Sequence, residues 1–558
     1  MASRSGGRIL VDQLIAQGVS DVFCVPGESY LAVLDALHDA AIRVTVCRQE
    51  GGAGMMAEAV GKLTGRPGVA FVTRGPGATN AAHAVHIAEQ DSTPMILFVG
   101  QIERGARGRG AFQEVDYRAA FGPLAKWATE IDDPSRIPEI VSRAFHLAMA
   151  GRPGPVVIAL PEDMLTERAE VADAARVEDR EAHPSLAQMA ELQRRLWAAR
   201  APMVVVGGSR WTERAVARLQ RFAEAFDLPV AVSFRRQMLF PADHPNFAGD
   251  LGIGANPDLV ARIKDADLLL AIGARLGEMP SQGYTLLPIP GDGARLAHVM
   301  PGAEEVGRVY ATGLPIVASM DGFAAALQTL QPPQAIPWAG AAQAANASWR
   351  RWSTPPASVP GALQMGEVMD FLNARLPRDA ILTNGAGNYA TWVHRYYRFR
   401  AFGTQLAPTS GSMGYGVPAA VAAKRLHPDR IVVSFAGDGC FLMNGQEFAT
   451  ALQHELPIVV IVLDNGMYGT IRMHQERDYP GRVSATALRN PDFAAYARAF
   501  GGHGETVLET ADFAPAFERA LESRLPAIIH CFLDPEAITP TRTLSAIRET
   551  ALAAARGD

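Results

Sequence analysis

Cysteine is scarce in this 558-residue chain: Cys24, Cys47, Cys440 and Cys531 lie far apart and form no CxxC pair. That spacing argues against a disulfide scaffold and a structural zinc site, and a reducing compartment is expected. An excess of positive charge is also lacking. Lys and Arg number 52 against 58 Asp and Glu, a net charge of −6, so no basic field grips a phosphate backbone and no nucleic-acid partner is expected. Long apolar runs are missing as well. A stretch such as 456–463 falls far below the roughly 18 to 20 residues that span a bilayer, so no membrane partner is expected. Near the N-terminus, Arg4 and Arg8 precede an apolar stretch that Asp12 and Gln13 break at once, which does not make a signal-peptide core. A cytoplasmic location is expected.

Glycine (52) and proline (38) are abundant, above average usages of about 7% and 5%, and mark many tight turns. At about 150 residues per domain, the length predicts two to four domains. Short runs rich in Val, Ile and Leu recur between helical stretches, at 69–72, 95–99, 156–160, 203–206, 268–272, 431–435, 458–463 and 527–529. Near-continuous apolar strands alternating with helices predict parallel sheets covered on both faces. Two stretches read as linkers: the charged 161–188, and 331–361, rich in Pro, Ala and Ser. The expected fold class is α/β, with three doubly wound parallel-sheet domains at 1–165, 188–332 and 360–535. A tail at 536–558 is either mobile or a cover over a site.

The most informative run is 434–466. A strand leads into Gly437-Asp438-Gly439-Cys440, Asn444-Gly445 opens a helix at 446–454, and the next strand ends at Asp464-Asn465-Gly466. Both polar clusters fall at carboxyl ends of strands, where ligands collect in parallel sheets. Glycines around Asp438 allow backbone N–H groups to approach an anion, and a helix N-terminus adds positive dipole. Asp438 and Asn465 offer hard oxygens suited to Mg²⁺. Either cluster alone is readable as a plain β-turn; together they read as a diphosphate–Mg²⁺ cradle.

Gly437-Asp438-Gly439 with Asn465 resembles the thiamine-diphosphate signature, and the chain over roughly 5–535 resembles the acetolactate synthase group of thiamine-diphosphate enzymes. The resemblance implies the thiamine-diphosphate-binding fold, with pyrimidine, middle and diphosphate domains. It implies metal ligation by Asp438, Asn465 and the main chain of Met467, and diphosphate contacts from Gly439 and Cys440. Asn384-Gly385-Ala386-Gly387-Asn388-Tyr389 looks like the second diphosphate loop, with Asn388 and Tyr389 in place of the usual Gln and His. Met413, within Gly411-Ser412-Met413-Gly414, resembles the apolar wedge that bends the coenzyme. Glu50, past a strand at 42–47 and opening a helix through Thr64, occupies the position of the carboxyl group that activates the aminopyrimidine. The family brings this Glu from one subunit to the coenzyme held by another, so a homodimer or homotetramer with active sites at the subunit interface is implied. Arg74-Gly75-Pro76-Gly77-Ala78-Thr79-Asn80 matches the loop on the pyrimidine side, with Thr79 or Asn80 able to cap the helix that follows. Gln113 matches a glutamine that reaches the active site, and Lys126 a lysine near the substrate channel.

Three departures bear on substrate. Glu28 stands where the family carries consecutive glycines, so it would project into the coenzyme pocket as an acid/base or a selector of substrate; the alternative is a helix-start Glu facing solvent. His474 replaces the tryptophan that governs acceptor choice, and with Arg472 is a candidate for carboxylate binding. In the middle domain, Gly273-Ala274-Arg275 looks like the nucleotide-binding half, but His298-Val299-Met300-Pro301 lacks the acidic strand end that accepts from ribose, so FAD is not favoured. The Arg-rich loop 103–110 reads as solvated rather than as a CoA-phosphate site. The resemblance thus implies a thiamine-diphosphate- and Mg²⁺-dependent enzyme that decarboxylates a pyruvate-like 2-oxo acid and passes the acyl-anion equivalent to a carbonyl acceptor. The alternatives are a non-ligating decarboxylase, a lyase acting on a 2-hydroxy ketone or 2-hydroxyacyl thioester, or a catalytically silent coenzyme-binding regulatory protein.

Overall fold

The computed structural model describes residues 2–179 and 181–556. The chain divides into two compact units, 1–180 with 421–426, and 181–420 with 427–558. Three six-stranded sheets carry them, every strand pair parallel. The expected α/β architecture is therefore present three times. No helix among the described residues is long and apolar enough to cross a membrane.

In the first unit the sheet runs Arg43–Val46, Asp21–Cys24, Gly68–Val72, Met95–Gln101, Pro155–Pro161, Trp127–Glu130. The chain order reverses between Asp21–Cys24 and Gly68–Val72. Loops leaving adjacent strands at such a point diverge to opposite faces and open a crevice at the carboxyl ends. Val22, Phe71, Phe98 and Ile158 pack with Ile9, Leu10 and Phe145 of the covering helices, all buried.

The second unit holds two sheets. One runs Phe247–Leu251, Val230–Ser233, Pro202–Val206, Leu268–Ile272, Leu296–Met300, Leu314–Val317; the other runs Gln405–Leu406, Ile381–Asn384, Val432–Gly437, Val459–Asp464, Ala527–Phe532, His503–Val507. In the latter the reversal falls between Ile381–Asn384 and Val432–Gly437. Residues 385–389 and 437–440 leave the sheet there.

Both stretches read as linkers contain structure. Glu162–Thr166 is a short helix, and Arg168–Ala169 pairs antiparallel with Arg4–Ser5. Ala341–Trp352 is a helix whose buried positions, Ala342, Ala345, Asn346, Ser348 and Trp349, recur at helical spacing. Small and polar residues fill most of that stripe, so composition hides it. Trp349 anchors it edge-on to Phe247, ring centroids 4.7 Å apart.

Candidate active site

Strand Val432–Gly437 ends where Asp438 begins a helix, Asp438–Asn444, with Gly437 as N-cap. Most of the expected glycine loop is thus helical, and the next helix is Glu447–Gln453 rather than 446–454. The first turn of a helix leaves N–H groups without intrahelical partners, an anion-binding arrangement. Gly439 is needed for this geometry: a Cβ there would lie 2.6 Å from Tyr468 Cε1.

Three loops meet at Cys440. Its buried sulfur accepts the Gly414 N–H at 3.3 Å and lies 3.2 Å from the Tyr389 hydroxyl, which itself accepts the Gly385 N–H at 3.0 Å. Burial, with the nearby Cys440 thiol, pushes the Tyr389 phenol well above its usual range, so it keeps its proton beside the sulfur. Met413 sits half-buried against the core of this sheet, with Gly411 at φ +70° and Gly414 at φ +78° on either side. Asn388 binds Thr470 through its backbone N–H and side-chain oxygen, each at 3.0 Å, and donates to the Ile538 carbonyl at 3.2 Å. The side chains of Asn388 and Tyr389 are thus engaged by protein groups.

Gly385 is the tightest point of this junction, since a Cβ there would stand 2.6 Å from Cys440 Sγ. Gly385→Ala is expected to destabilise the coenzyme-free protein by about 1–3 kcal/mol, read as a lowered thermal transition. Cys440→Ala in the same chain is expected to recover part of that loss; strict additivity would refute the contact as its cause.

Asp438 is 3% exposed, and its Oδ2 accepts from the Met467 N–H at 3.1 Å and the Asn490 amide at 2.8 Å. Burial, with the neighbouring Asp464 carboxylate, holds Asp438 above the ordinary carboxylate range. Burial works in the same direction on Asp464, but donors from His530, Gly466 and Asn490 outweigh it and keep that group low. Two carboxylates packed together out of water form a setting that a hard dication such as Mg²⁺ would relieve, so the residues present fit that ion. The loop after Asn465 suits this as well. Tyr468 N–H bonds Thr486 O and Leu488 N–H bonds Gly466 O, so Met467's own backbone groups are not used in that pairing. Asn465 turns beside Gly469, where a Cβ would come within 3.0 Å of Nδ2.

In the first unit, Glu50 opens helix Glu50–Thr64, N-capped by Gln49. Its Oε2 accepts from Asn80 Nδ2 at 2.9 Å, and Oε1 lies beside Gly77. Neither Thr79 nor Asn80 caps helix Pro76–Asp91 as expected: Thr79 bonds back to Gly75 O and Pro76 O, and Asn80 faces Glu50. Gln113 stands at φ +66° against Gly75, and its Oε1 is buried without a hydrogen-bond partner. An orphaned buried acceptor costs about 1–3 kcal/mol, which a ligand donor would offset. Glu28 keeps 59% of its side chain exposed and pairs at 3.5 Å with Arg74, which also binds Glu162 at 2.9 Å.

Other expectations change. Lys126 caps helix Ile137–Met149 by donating to Leu147 O and Ala150 O, a structural task for a cation at a helix C-terminus. Arg472 is committed to the fully buried Glu476, with Arg548 on the same carboxylate, so it is not a free carboxylate binder. His474 is partly buried, its Nδ1 without a partner. The tail is a docked helix, Leu544–Arg556, whose Leu544 and Ile547 pack with Ile538 and Met473. In the loop 103–110, Arg104 is pinned to Asp163 and Glu167, and Arg107 to Glu130.

Sequence reasoning missed Asn80 and Asn490. In sequence Asn80 falls in the pyrimidine-side loop but reads there as a helix cap rather than as the partner of Glu50, and Asn490-Pro491 reads as an ordinary turn.

Residues 4–120 match the thiamine pyrophosphate enzyme N-terminal TPP binding domain, 189–330 the central domain, and 385–531 the C-terminal TPP binding domain. The chain is 30% identical over 534 residues to the acetolactate synthase isozyme 2 large subunit of Escherichia coli K12, covering 95% of this chain and 96% of that one. It is 31% identical over 537 residues to the acetolactate synthase large subunit of Corynebacterium glutamicum, covering 93% and 85%. The corresponding protein of Parasynechococcus marenigrum is 32% identical over 546 residues, covering 94% and 87%. With three matched domains and relatives aligned over nearly their whole length, the chain belongs to the thiamine pyrophosphate enzyme family, among its acetolactate synthase-like members.

Proposed function

We propose that the protein binds thiamine diphosphate with Mg²⁺, decarboxylates a pyruvate-like 2-oxo acid, and transfers the acyl-anion equivalent to a second carbonyl compound. When bound, the coenzyme supplies a thiazolium carbon that adds to the 2-oxo carbonyl and holds the electrons released with CO₂. Asp438, Asn465 and the Met467 carbonyl are the proposed Mg²⁺ ligands, leaving the remaining positions to diphosphate and water. The first turn after Gly437, with Gly439 and Cys440, supplies N–H groups to the diphosphate, and Gly411 and Met413 shape the floor beneath the coenzyme. Asn388 and Tyr389 contribute the form of the second loop rather than side-chain contacts.

Glu50 is the proposed proton-handling group. Asn80 occupies its Oε2, which leaves Oε1 to share a proton with the aminopyrimidine ring nitrogen. Gln113 offers its unpartnered Oε1 to a donor on coenzyme or substrate. The observation that carries the reading is the retention of Glu50 with an oriented carboxylate, because a silent binder of the coenzyme has no use for it.

FAD is not part of the proposal. His298, buried in the middle of strand Leu296–Met300, shares a hydrogen bond with the Ala274 carbonyl at 2.8 Å, and Glu305, which follows that strand, is paired with Arg275 and Arg308. A homodimer or homotetramer is the proposed assembly.

The test is product analysis by mass spectrometry after incubating purified protein, thiamine diphosphate and Mg²⁺ with pyruvate. Acetolactate from pyruvate alone is expected. Acetaldehyde without any ligated product would place the protein with non-ligating decarboxylases, and no turnover across a panel of 2-oxo acids and aldehydes would refute the reading.

A further inference from the structure

Behind Asp438 lies a buried relay that joins two carboxylates of the polar clusters, Asp438 and Asp464, to two residues outside them, Asn490 and His530. The Asn490 amide nitrogen donates one hydrogen to Asp438 Oδ2 and the other to Asp464 Oδ1, each at 2.8 Å. Chemistry fixes the amide's orientation, since the opposite flip would set its oxygen against two carboxylates. On the far side, Asp464 Oδ2 lies 3.0 Å from His530 Nε2, and His530 Nδ1 accepts the Phe493 N–H at 3.3 Å. That second bond places the imidazole proton on Nε2, pointing at Asp464. Asn490 Oδ1 is buried and has no hydrogen-bond partner.

The local chain holds this amide firmly. Pro491 restricts the backbone of the residue before it. Asp492 then caps helix Phe493–Ala499 by accepting from Ala495 N–H. The Phe493 ring meets His530 edge-on with centroids 4.9 Å apart.

We propose that Asn490 is a positioning residue of the cation site: it bridges the Asp438 and Asp464 carboxylates and thereby aims Asp438 at Mg²⁺. His530 acts one step further back by orienting Asp464. Such outer partners fix ligand orientation, and their loss typically lowers metal affinity about 10- to 100-fold. The inference rests on the proposed Mg²⁺ role of Asp438.

The test uses full-length protein stripped of metal and coenzyme. Mg²⁺ is titrated at fixed thiamine diphosphate, and bound coenzyme is measured by equilibrium dialysis. Asn490→Ala is expected to raise the half-saturating Mg²⁺ concentration about tenfold or more while leaving the coenzyme bound at saturating Mg²⁺ stoichiometric. A general structural defect would lower that capacity instead. His530→Gln is expected to shift the midpoint in the same direction by less. Should Asn490→Ala not fold, Asn490→Ser, which keeps one donor, is expected to give an intermediate shift. A midpoint within twofold of wild type for the folded Asn490 variant would overturn the inference while leaving the Mg²⁺ site standing. Wild-type binding indifferent to Mg²⁺ would instead overturn the site, and the inference with it.

Discussion

Asp438→Asn is expected to abolish Mg²⁺-dependent binding of thiamine diphosphate and to leave the coenzyme-free protein at least as stable as wild type. The two outcomes have one cause. In the coenzyme-free chain, Asp438 is buried beside Asp464, and each carboxylate loses hydration while repelling the other. An isosteric amide removes the charge and keeps an oxygen that accepts from Met467 N–H and Asn490. The same exchange removes the anionic ligand, for which a neutral oxygen is a poor substitute at a hard dication. Binding weaker by at least about 100-fold is expected, since altering groups one step removed from a metal already costs about 10- to 100-fold. Calorimetric titration reads the affinity, and thermal unfolding without coenzyme reads the stability. The stability gain is expected to shrink as pH falls. Asp438's folded pKa lies above its unfolded value, so wild type is penalised where Asp438 must ionise and recovers as the group takes up its proton. A variant with reduced stability at neutral pH would show that the repulsion does not operate.

Glu50→Gln is expected to retain coenzyme binding within a few-fold and to lower turnover about 10²- to 10⁴-fold, the usual contribution of a positioned acid or base. That loss corresponds to about 2.7–5.5 kcal/mol of barrier. The substitution keeps the side chain's size and an oxygen for the Asn80 donor, so the N-terminus of helix Glu50–Thr64 is undisturbed and the fold should melt at the wild-type temperature. What disappears is the carboxyl group able to share a proton at Oε1. Asn80→Ala tests the same arrangement from outside and should produce a smaller loss, because Glu50 keeps its charge but not its orientation. Turnover unchanged in Glu50→Gln would remove Glu50 from the chemistry.

The sequence already showed the repeated strand–helix alternation and the glycine-bounded polar clusters, because both are local. Val432–Gly437 and Val459–Asp464 are mostly apolar runs, broken only by Ser434 and ended by Asp464, and Asp438 and Asn465 follow them directly. Strands Asp21–Cys24 and Ile381–Asn384 escaped because Asp21 in one and Thr383-Asn384 in the other cut the apolar run to two or three residues, although all of these positions are buried in the sheet. The helix at 438–444 escaped because Gly439 looks like loop, whereas its actual task is to let Tyr468 lie against the backbone. Side-chain partnerships across the sheet were hidden too. Asn490 is 52 residues from Asp438 and His530 is 66 from Asp464. Asn80 is 30 from Glu50, and no periodicity links any of these pairs. Lys126 and Arg472 show the converse. Each matched a functional pattern in sequence, yet packing has given each a structural partner, a helix C-terminus in one case and buried Glu476 in the other.

The central claim is that this chain activates thiamine diphosphate as well as holding it, and hydrogen–deuterium exchange at the thiazolium C2 of the bound coenzyme tests that most directly. Quenched samples of protein, Mg²⁺ and thiamine diphosphate in D₂O, followed by NMR, should show wild type exchanging far faster than free coenzyme and Glu50→Gln falling back towards it. Exchange in wild type no faster than in the Glu50→Gln variant would contradict the account.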